Sequence, residues 1–367
     1  MPLIVLNGCA PRQVYFKKET AAKVTLNISN VSALPKTINV SENQRVEIKY
    51  KISYEADVSV DIYDAEDRWI NSLKKEAPEK TGYNFAYWDG RDTNGKLLPS
   101  GVYIYVIKAK DRDGNTAVYD PADSTSGIGL QENNLRYSKE TGEIKYILPR
   151  AARVRIRIGI EGGGPLLRTL FNWQPREAGE NSEKWDGCDE EGKSINQRLK
   201  LAAVLSAYSL SDNSIIVKNT DFGFDQECKF EVNLQNPKRL KRNVTGIVLH
   251  PAAKFSRKKY HYGPGFRLEF PNAVLDEGGE PVLSGIAPVR VIVDEKDKDM
   301  LVESRFEMIF FVDDVFFFEE EQSFSPYNYL WNTKEITEGE HILTVNIMSY
   351  DGYIGVKNVK VKIRKGE

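Results

Sequence analysis

The sequence is poor in the residues that most often build metal centres and disulfide frameworks. Its 367 residues include only three cysteines, three histidines and four methionines. A secreted scaffold held together by disulfides needs more cysteines than this. The three histidines lie in separate segments, and no His-Glu-x-x-His or Gly-x-Ser-x-Gly motif accompanies them. We therefore predict no enzymatic activity, no bound cofactor and no metal site.

The sequence also lacks a dominant charge and a long apolar run. Lysine and arginine total 51 and aspartate and glutamate total 53, which gives a net charge of −2. This balance disfavours a general nucleic-acid-binding protein, which usually carries a strongly basic domain. No run of about 18 apolar residues is present, so we predict no membrane-spanning helix. The aromatic content of 11% favours β structure.

A turn-rich stretch around Trp88 is followed by a strand pattern. Residues 87–106 read YWDGRDTNGKLLPSGVYIYV, in which Asp-Gly and Asn-Gly are strong turn signals because Gly and Asn tolerate positive φ. Residues 185–193, WDGCDEEGK, repeat the aromatic residue and both turns. We predict that Trp88 and Trp185 are buried anchors. The structural turn residues beside them are Asp89, Gly90, Asp186 and Gly187.

This stretch resembles the Ig-like domain of the flagellar hook-capping protein family, a module that also occurs in many secreted bacterial proteins. The first copy matches the pattern nearly throughout. The second has Cys188 in place of Arg and Glu191 in place of Asn, and it lacks the Ser-Gly-Val-Tyr turn. The resemblance implies a β-sandwich for both copies and specifies no activity.

The repeat extends beyond the turns. Residues with period-two alternation around Ile48 and Val58 recur around Ile144 and Val154, 96 positions later in each case (48 to 144, 58 to 154). A repeat of this length is a whole domain. We predict an all-β chain of three tandem Ig-like or fibronectin-III-like β-sandwiches in an elongated array, without an amphipathic helix. The predicted ranges are 1–21 for an N-terminal tether, 22–121 and 122–222 for the first two domains, and 223–367 for the third with an extended N-terminal segment.

The third unit carries looser signals. Its WNT and GEH segments, at 331–333 and 339–341, resemble those of other bacterial Ig-like domains, and His341 is expected to be structural. The acidic groups 111–115 and 294–299 are interpreted as exposed turns.

Cys9 is a candidate lipidation site. Residues 3–9, LIVLNGC, resemble the end of a bacterial lipoprotein signal, in which the Cys becomes the lipidated first residue. Only eight residues precede Cys9 and none is basic, whereas a secretory signal has a charged start and a longer apolar region. The alternative is coincidence. Cys188 and Cys228 could form one disulfide or remain free thiols.

Two stripes are candidate interaction surfaces. Arg153, Arg155 and Arg157 share one face of a strand, which is either a solvated sheet face or an acceptor for acidic partner residues. Residues 316–318, Phe316, Phe317 and Phe318, belong to an apolar hairpin that could be core or interface. The basic segments 238–242 and 257–262 are either solvated loops or contacts for anionic ligands.

These features favour a non-enzymatic extracytoplasmic scaffold or interaction protein, lipid-anchored in a bacterial envelope or surface assembly. Its expected partners are other envelope or surface proteins, with no specific nucleic acid and with membrane contact only through the lipid. The alternatives are a carbohydrate-binding or adhesion protein that uses exposed Tyr and Trp, and accessory domains of a larger secreted enzyme.

Overall fold

The structure is a computed structural model that describes residues 25–131, 133–195, 198, 200–220, 263–350 and 352–365. The regular secondary structure of the described chain is almost entirely β-strand, and it forms β-sandwich units that follow one another along the sequence. The all-β prediction and the prediction of successive sandwiches are confirmed.

Sandwich 1 uses short strands in which apolar and polar residues alternate, so each strand buries one face. Its strands are β1 (Ile28–Leu34), β2 (Thr37–Asn39), β3 (Val46–Ile52), β4 (Ala56–Asp64), β5 (Trp69–Glu79), β6 (Gly82–Trp88), β7 (Gly101–Lys110) and β8 (Thr116–Tyr119). One sheet has the order β1-β3-β6. In the other, β5, β4 and β7 are neighbours and β8 pairs with the end of β7. A 3₁₀ turn, Val40–Glu42, follows β2.

Sandwich 2 repeats this arrangement. After a short helix α1 (Ala122–Thr125), its strands are β9 (Gly129–Leu130), β10 (Asn133–Ser138), β11 (Glu143–Leu148), β12 (Ala152–Ile160), β13 (Leu166–Arg176), β14 (Gly179–Lys184) and β15 (Leu201–Ser209). Its sheets have the orders β10-β11-β14 and β13-β12-β15-β9.

The strand that follows, β16 (Ser214–Lys218), lies in sandwich 1. It pairs antiparallel with β7, from Ser214 opposite Ile104 to Val217 opposite Gly101, and parallel with β2. Its Ile215 and Val217 are fully buried in the core of sandwich 1. The range 122–222 predicted for the second domain therefore contains a strand of the first.

Strands β8 and β16 are two halves of one strand. Both pair with the same edge of β7: Tyr119 of β8 lies opposite Ile107, and Ser214 of β16 lies opposite Ile104. Between them the Tyr105 N–H donates to the Asn213 carbonyl at 3.1 Å. By antiparallel counting, the chain leaves this strand at residue 120 and re-enters it at residue 213. Sandwich 2 is thus inserted into the last strand of sandwich 1.

Buried polar contacts hold this junction. The Asn213 side chain, which is fully buried, donates to the Tyr105 carbonyl at 2.7 Å and to the Asp120 carboxylate at 3.2 Å. At the other end of β16, the Asn219 N–H donates to the Ser100 hydroxyl at 2.8 Å. Because these groups are removed from water, each bond avoids the cost of an unsatisfied buried group. The register of the interrupted strand is therefore well specified.

Sandwich 3 begins after residue 262. Its strands are β17 (Phe266–Glu269), β18 (Val274–Leu275), β19 (Pro281–Leu283), β20 (Ile286–Val293), β21 (Phe306–Val312), β22 (Val315–Glu320), β23 (Tyr327–Asn332), β24 (Gly339–Ser349) and β25 (Ile354–Ile363), with a 3₁₀ turn at Thr333–Glu335. The sheets have the orders β17-β20-β23 and β18-β19-β25-β24-β21-β22. The last strand, β25, pairs antiparallel with β24 and parallel with β19. Strand β16 makes the same two kinds of pairing in sandwich 1, which identifies it as that unit's closing strand.

The prediction that no unit contains an amphipathic helix is wrong for sandwich 3. The acidic segment interpreted as a turn forms helix α2 (Glu295–Ser304), preceded by Asp294 as its N-cap residue. Acidic residues in the first turn are favourable there because they face the positive end of the helix dipole. Met300 and Leu301 bury the inner side of the helix against the core.

Candidate functional site

Both tryptophans of the repeated turn motif are buried. Trp88 is 2% exposed and Trp185 is 4% exposed. The Trp88 Nε1–H donates to the Arg91 carbonyl and the Trp185 Nε1–H donates to the Cys188 carbonyl, each at 2.9 Å. Each indole therefore fills a core and also closes the turn three residues later.

The Asp-Gly turns beside them are built alike. The Asp89 and Asp186 carboxylates accept from backbone N–H groups two residues ahead, at 3.3 and 2.9 Å. Gly90 has φ +76°, and a Cβ there would lie 2.2 Å from Val40 Cγ1. Gly187 has φ +75°. These residues shape the turn.

The arginine ladder lies against sandwich 3. Arg153 is buried, while Arg155 and Arg157 are half-buried and both donate to the Gly352 carbonyl at 2.6 Å. The Arg155 guanidinium also lies 4.4 Å from the centre of the Trp173 ring. Arg155 and Arg157, which the sequence left as either a solvated face or an acceptor for an external partner, thus have an intramolecular partner.

Burial sets the electrostatics of this pair. It lowers the pKa of Arg157 to about 9, with the neighbouring Arg155 charge as a second cause, and lowers the pKa of Arg155 to about 10. Both remain charged at neutral pH. Their Nε atoms have no hydrogen-bond partner among the described residues, so two cations converge on one carbonyl in a partly desolvated interface.

Further contacts join sandwiches 2 and 3. The Asn346 side chain exchanges two 2.9 Å hydrogen bonds with the Leu166 backbone. The buried Asn358 donates to Asp189 at 2.9 Å, and Lys357 pairs with Glu191 at 2.6 Å. Hydrogen bonds and an ion pair therefore join the two sandwiches at several points.

The phenylalanine hairpin is divided between core and surface. Phe318 stacks on Tyr329 with 4.1 Å between ring centres, and Phe317 stacks on Trp331 at 5.4 Å. Phe316 is 51% exposed. It borders a crevice against the Gly162–Gly164 loop of sandwich 2. Only Phe316 among the three is therefore available as a surface contact.

His341 fixes the turn of this hairpin. Its Nδ1 lies 2.5 Å from the Asp313 carboxylate and its Nε2 lies 2.8 Å from the Thr337 carbonyl, so both ring nitrogens face acceptors. Burial opposes the charged ring, but the hydrogen bonds to Asp313 and Thr337 and the Asp313 charge outweigh it and raise the pKa of His341. The imidazole ring is thus held in place as part of the fold.

Several predicted features lie elsewhere. Cys9, Cys228 and both basic segments are outside the described residues; Cys188 is a free thiol. The Asp111 carboxylate accepts hydrogen bonds from the Asp113 and Asn115 N–H groups of its own turn.

In the described part of the chain, no three His, Cys, Asp or Glu side chains are grouped to hold a metal ion. No helix there is long and apolar enough to cross a membrane.

The sequence reasoning missed an exposed aromatic surface on sandwich 1. Tyr83, Phe85 and Tyr87, which we call the aromatic row, alternate along the edge strand β6 and are 51%, 38% and 50% exposed. The intervening Ala86 and Trp88 are buried. The alternation of side chains along a strand predicts this surface, because a strand that buries Trp88 must direct residues 87, 85 and 83 outward.

Basic side chains lie beside this row. Lys51 and Lys49 of β3 lie opposite Tyr83 and Phe85 in register. The Lys49 Nζ is 4.4 Å from the centre of the Tyr83 ring, and the Arg45 guanidinium is 5.1 Å from the centre of Tyr87. We call Arg45, Lys49 and Lys51 the basic row. None of them forms an ion pair with any residue that the structure describes.

Hydrogen bonds orient the two phenols at the ends of the row. The Tyr87 hydroxyl donates to Glu47 at 3.1 Å, and the Asn30 side chain donates to the Tyr83 hydroxyl at 3.2 Å. The Glu47 hydrogen bond is the main cause that raises the pKa of Tyr87, so this phenol stays neutral at ordinary pH.

The equivalent face of sandwich 2 has no aromatic residue. Strand β14 pairs with β11 as β6 pairs with β3. Counting back from Trp185 as from Trp88, its outward positions are Glu180, Ser182 and Lys184, all exposed. The same fold therefore forms without the aromatic row, so packing does not account for it.

Comparisons with known proteins agree with the fold. Residues 35–113 match the family described as FlgD Ig-like domain, a span well under half of the chain. A search of curated proteins finds no match.

Solved structures with detectable similarity include two adhesins and one fibronectin-III array. A structure from a study of host cell surface retention of a 1.5-MDa bacterial ice-binding adhesin has 9% sequence identity and a TM-score of 0.20. The match covers 94% of this chain and 99% of that one. A Ca²⁺-stabilized adhesin of an Antarctic bacterium has 11% sequence identity and a TM-score of 0.20, and the match covers 94% of this chain and 74% of that one. The central fibronectin-III array of RIM-binding protein has 8% sequence identity and a TM-score of 0.17, and the match covers 88% of this chain and 93% of that one. Likenesses at these TM-scores carry no information about ligands. The residues 35–113 of this chain are thus similar to a bacterial Ig-like domain family.

Proposed function

We propose that this chain is a non-enzymatic interaction protein that binds its partner through the aromatic row of sandwich 1. The observation that carries the proposal is the contrast between the two repeats. Tyr83, Phe85 and Tyr87 are exposed where sandwich 2 has Glu180, Ser182 and Lys184. Contiguous exposed aromatic surface of this kind is typical of binding sites.

The way in which the sandwiches are joined supports a scaffold role. Sandwich 2 is covalently attached to sandwich 1 at both of its ends, within one strand. Sandwich 3 is docked on sandwich 2 through the Gly352 carbonyl and the Asn346 side chain. A binding face mounted on such a support is presented with limited loss of conformational freedom on binding.

Binding to isolated cell envelopes of the source organism tests this proposal. Purified protein is mixed with envelopes and sedimented. We expect co-sedimentation of the wild-type protein, and a loss of at least roughly tenfold in apparent affinity for the variant Tyr83→Thr, Phe85→Thr, Tyr87→Thr, because three aromatic contacts are removed. Threonine keeps the strand propensity.

The matched control is the same substitution on sandwich 2: Glu180→Thr, Ser182→Thr, Lys184→Thr. It should bind like the wild type. Equal binding by the aromatic-row variant and the wild type would contradict the proposed site. Melting temperatures of both variants show whether either change affects folding.

We also propose an extracytoplasmic location, with other envelope or surface proteins as partners and Cys9 as the lipid attachment site. The support is the Leu-Asn-Gly-Cys run at residues 6–9 and the resemblance to modules of secreted bacterial proteins. Mass spectrometry of the native protein extracted from envelopes should find an acylated Cys9 at the N-terminus. A native protein that retains an unmodified Met1 would refute the anchor without affecting the binding proposal.

A further inference from the structure

We infer that the ligand of the aromatic row is an acidic polysaccharide, with its sugar rings on the aromatic side chains and its carboxylates on the basic row. This inference rests on the proposed function and adds the chemical class of the ligand.

The geometry favours an extended, repeating ligand. Residues two apart on a strand are about 6.8 Å apart, so the three rings span roughly 14 Å in a line. They lie on the outer face of a three-stranded sheet, and β6 is its edge strand. A straight, open row of this kind suits a polymer that lies across it.

The charges favour an anionic ligand. Positions 45, 47, 49 and 51 run antiparallel to the aromatic row, in direct register from 47 to 51, and carry Arg45, Glu47, Lys49 and Lys51. Cross-strand neighbours have Cβ atoms about 4.5–5.5 Å apart, so a ligand on the rings reaches the cations. The three cations have no carboxylate partner among the described residues, while Glu47 is engaged by the Tyr87 hydroxyl at 3.1 Å. The surface therefore presents an excess of unpaired positive charge.

A uronic-acid polymer matches both rows at once. Each sugar ring has an apolar C–H face that can lie on an aromatic ring, and each carboxylate at its edge can pair with a lysine or arginine. A folded protein partner favours a pocket for its central aromatic or arginine residue, which a straight open row does not provide. Single-stranded nucleic acid also uses stacking and cations, but its binding proteins usually carry a basic domain, and this chain has 51 basic and 53 acidic residues.

Affinity gel electrophoresis of the whole protein tests the inference. The gels contain polygalacturonate, alginate or hyaluronate; methyl-esterified polygalacturonate serves as the uncharged control with the same backbone. We expect retardation by at least one acidic polymer, little retardation by the ester, and weakening as salt screens the charges.

Two variants separate the contributions of the rows. The aromatic-row threonine variant should weaken binding at least roughly tenfold. Lys49→Gln with Lys51→Gln should reduce the preference for acid over ester, since only Arg45 of the basic row remains, while keeping the fold, since both lysines are on the outer face. The sandwich 2 threonine variant should bind like the wild type.

Three results would overturn the inference. They are no retardation by any of the three acidic polymers, equal retardation by the acid and the ester, and tighter binding of oligothymidylate than of the acidic polymers. Envelope binding that still depends on the aromatic row would, in each case, leave the proposed function standing and assign the row to a different ligand.

Discussion

Trp88 is a large, buried anchor in the core of sandwich 1. It is 2% exposed, packs edge to face on Tyr103 with 5.5 Å between ring centres, and bonds the turn carbonyl of Arg91. Trp88→Ala should lower the free energy of unfolding of sandwich 1 by roughly 3–5 kcal/mol, as large aromatic truncations in cores do. Urea denaturation measures this. A loss similar to that of the exposed Tyr83→Ala would contradict the anchor role.

His341 should make sandwich 3 sensitive to alkaline conditions. Its pKa in the folded state is raised above the ordinary value of 6.5, so the protonated ring contributes stability that is fully present below about pH 6.5. This contribution is lost as the pH rises through the raised pKa of the folded state. Melting temperatures across this window should fall for the wild type.

His341→Gln provides the comparison, since glutamine cannot carry the charge. Its melting temperature should be lower than that of the wild type at acidic pH and should change less over the same window. An equal fall in both proteins would assign the pH dependence to other groups.

The interrupted strand leads to a prediction about fragments at the scale of one element. A fragment of residues 22–121 lacks β16 and leaves the places of Ile215 and Val217 in the core empty. Joining residue 120 directly to residues 213–220 restores the strand. The joined fragment should be several kcal/mol more stable, since each buried side chain contributes about 1.5–3 kcal/mol.

Urea denaturation of the two fragments measures the difference. Equal stability would mean that β16 is dispensable for sandwich 1. A joined fragment in which Ile215→Ser and Val217→Ser remove the apolar contacts controls for chain length and should resemble the shorter fragment.

Individual strands could be predicted from the sequence, whereas their partners could not. Alternation around Val58 and Val154 is local, and it identified β4 and β12 correctly. Strand β16 is buried on both faces, so its pattern cannot indicate which sheet it joins. Its pairing with β7 joins residues more than 100 positions apart, which local periodicity does not encode.

The candidate site was missed for a different reason. The core position of Trp88 was predicted from the sequence, whereas the outward orientation that it imposes on Tyr87, Phe85 and Tyr83 along β6 was not. The arginine ladder was visible as a pattern, but its contact with Gly352 depends on how two domains meet. Gly352 itself has φ +84°, a backbone conformation that favours glycine over residues with a side chain.

At the scale of the whole molecule, the arginine pair should control the arrangement of sandwiches 2 and 3. Small-angle scattering of the wild type should give a radius of gyration well above the ~21 Å of a compact chain of this length, as predicted for an elongated array. Arg155→Ala with Arg157→Ala removes the contacts to Gly352 and should broaden the distribution of interatomic distances further.

Arg112→Ala is a suitable control, because its side chain is 92% exposed and belongs to the turn between β7 and β8 of sandwich 1. It should leave the scattering unchanged. A radius near ~21 Å for the wild type would contradict the elongated array. Identical curves for the wild type and the arginine variant would show that the other contacts hold the interface alone.

The insertion of sandwich 2 also decides how the chain would carry mechanical tension. A pull between the two termini enters sandwich 1 through β1, leaves it through the end of β16, and continues into sandwich 3. Once the contacts between sandwiches 2 and 3 have parted, the load passes across sandwich 1 without stretching sandwich 2, because the two ends of sandwich 2 lie side by side at residues 120 and 213. The fold of sandwich 2 is then stretched only after the closing strand of sandwich 1 has been peeled away. In single-molecule stretching, the unfolding of sandwich 2 should always follow that of sandwich 1. The inserted domain therefore adds its contour length only in a second step.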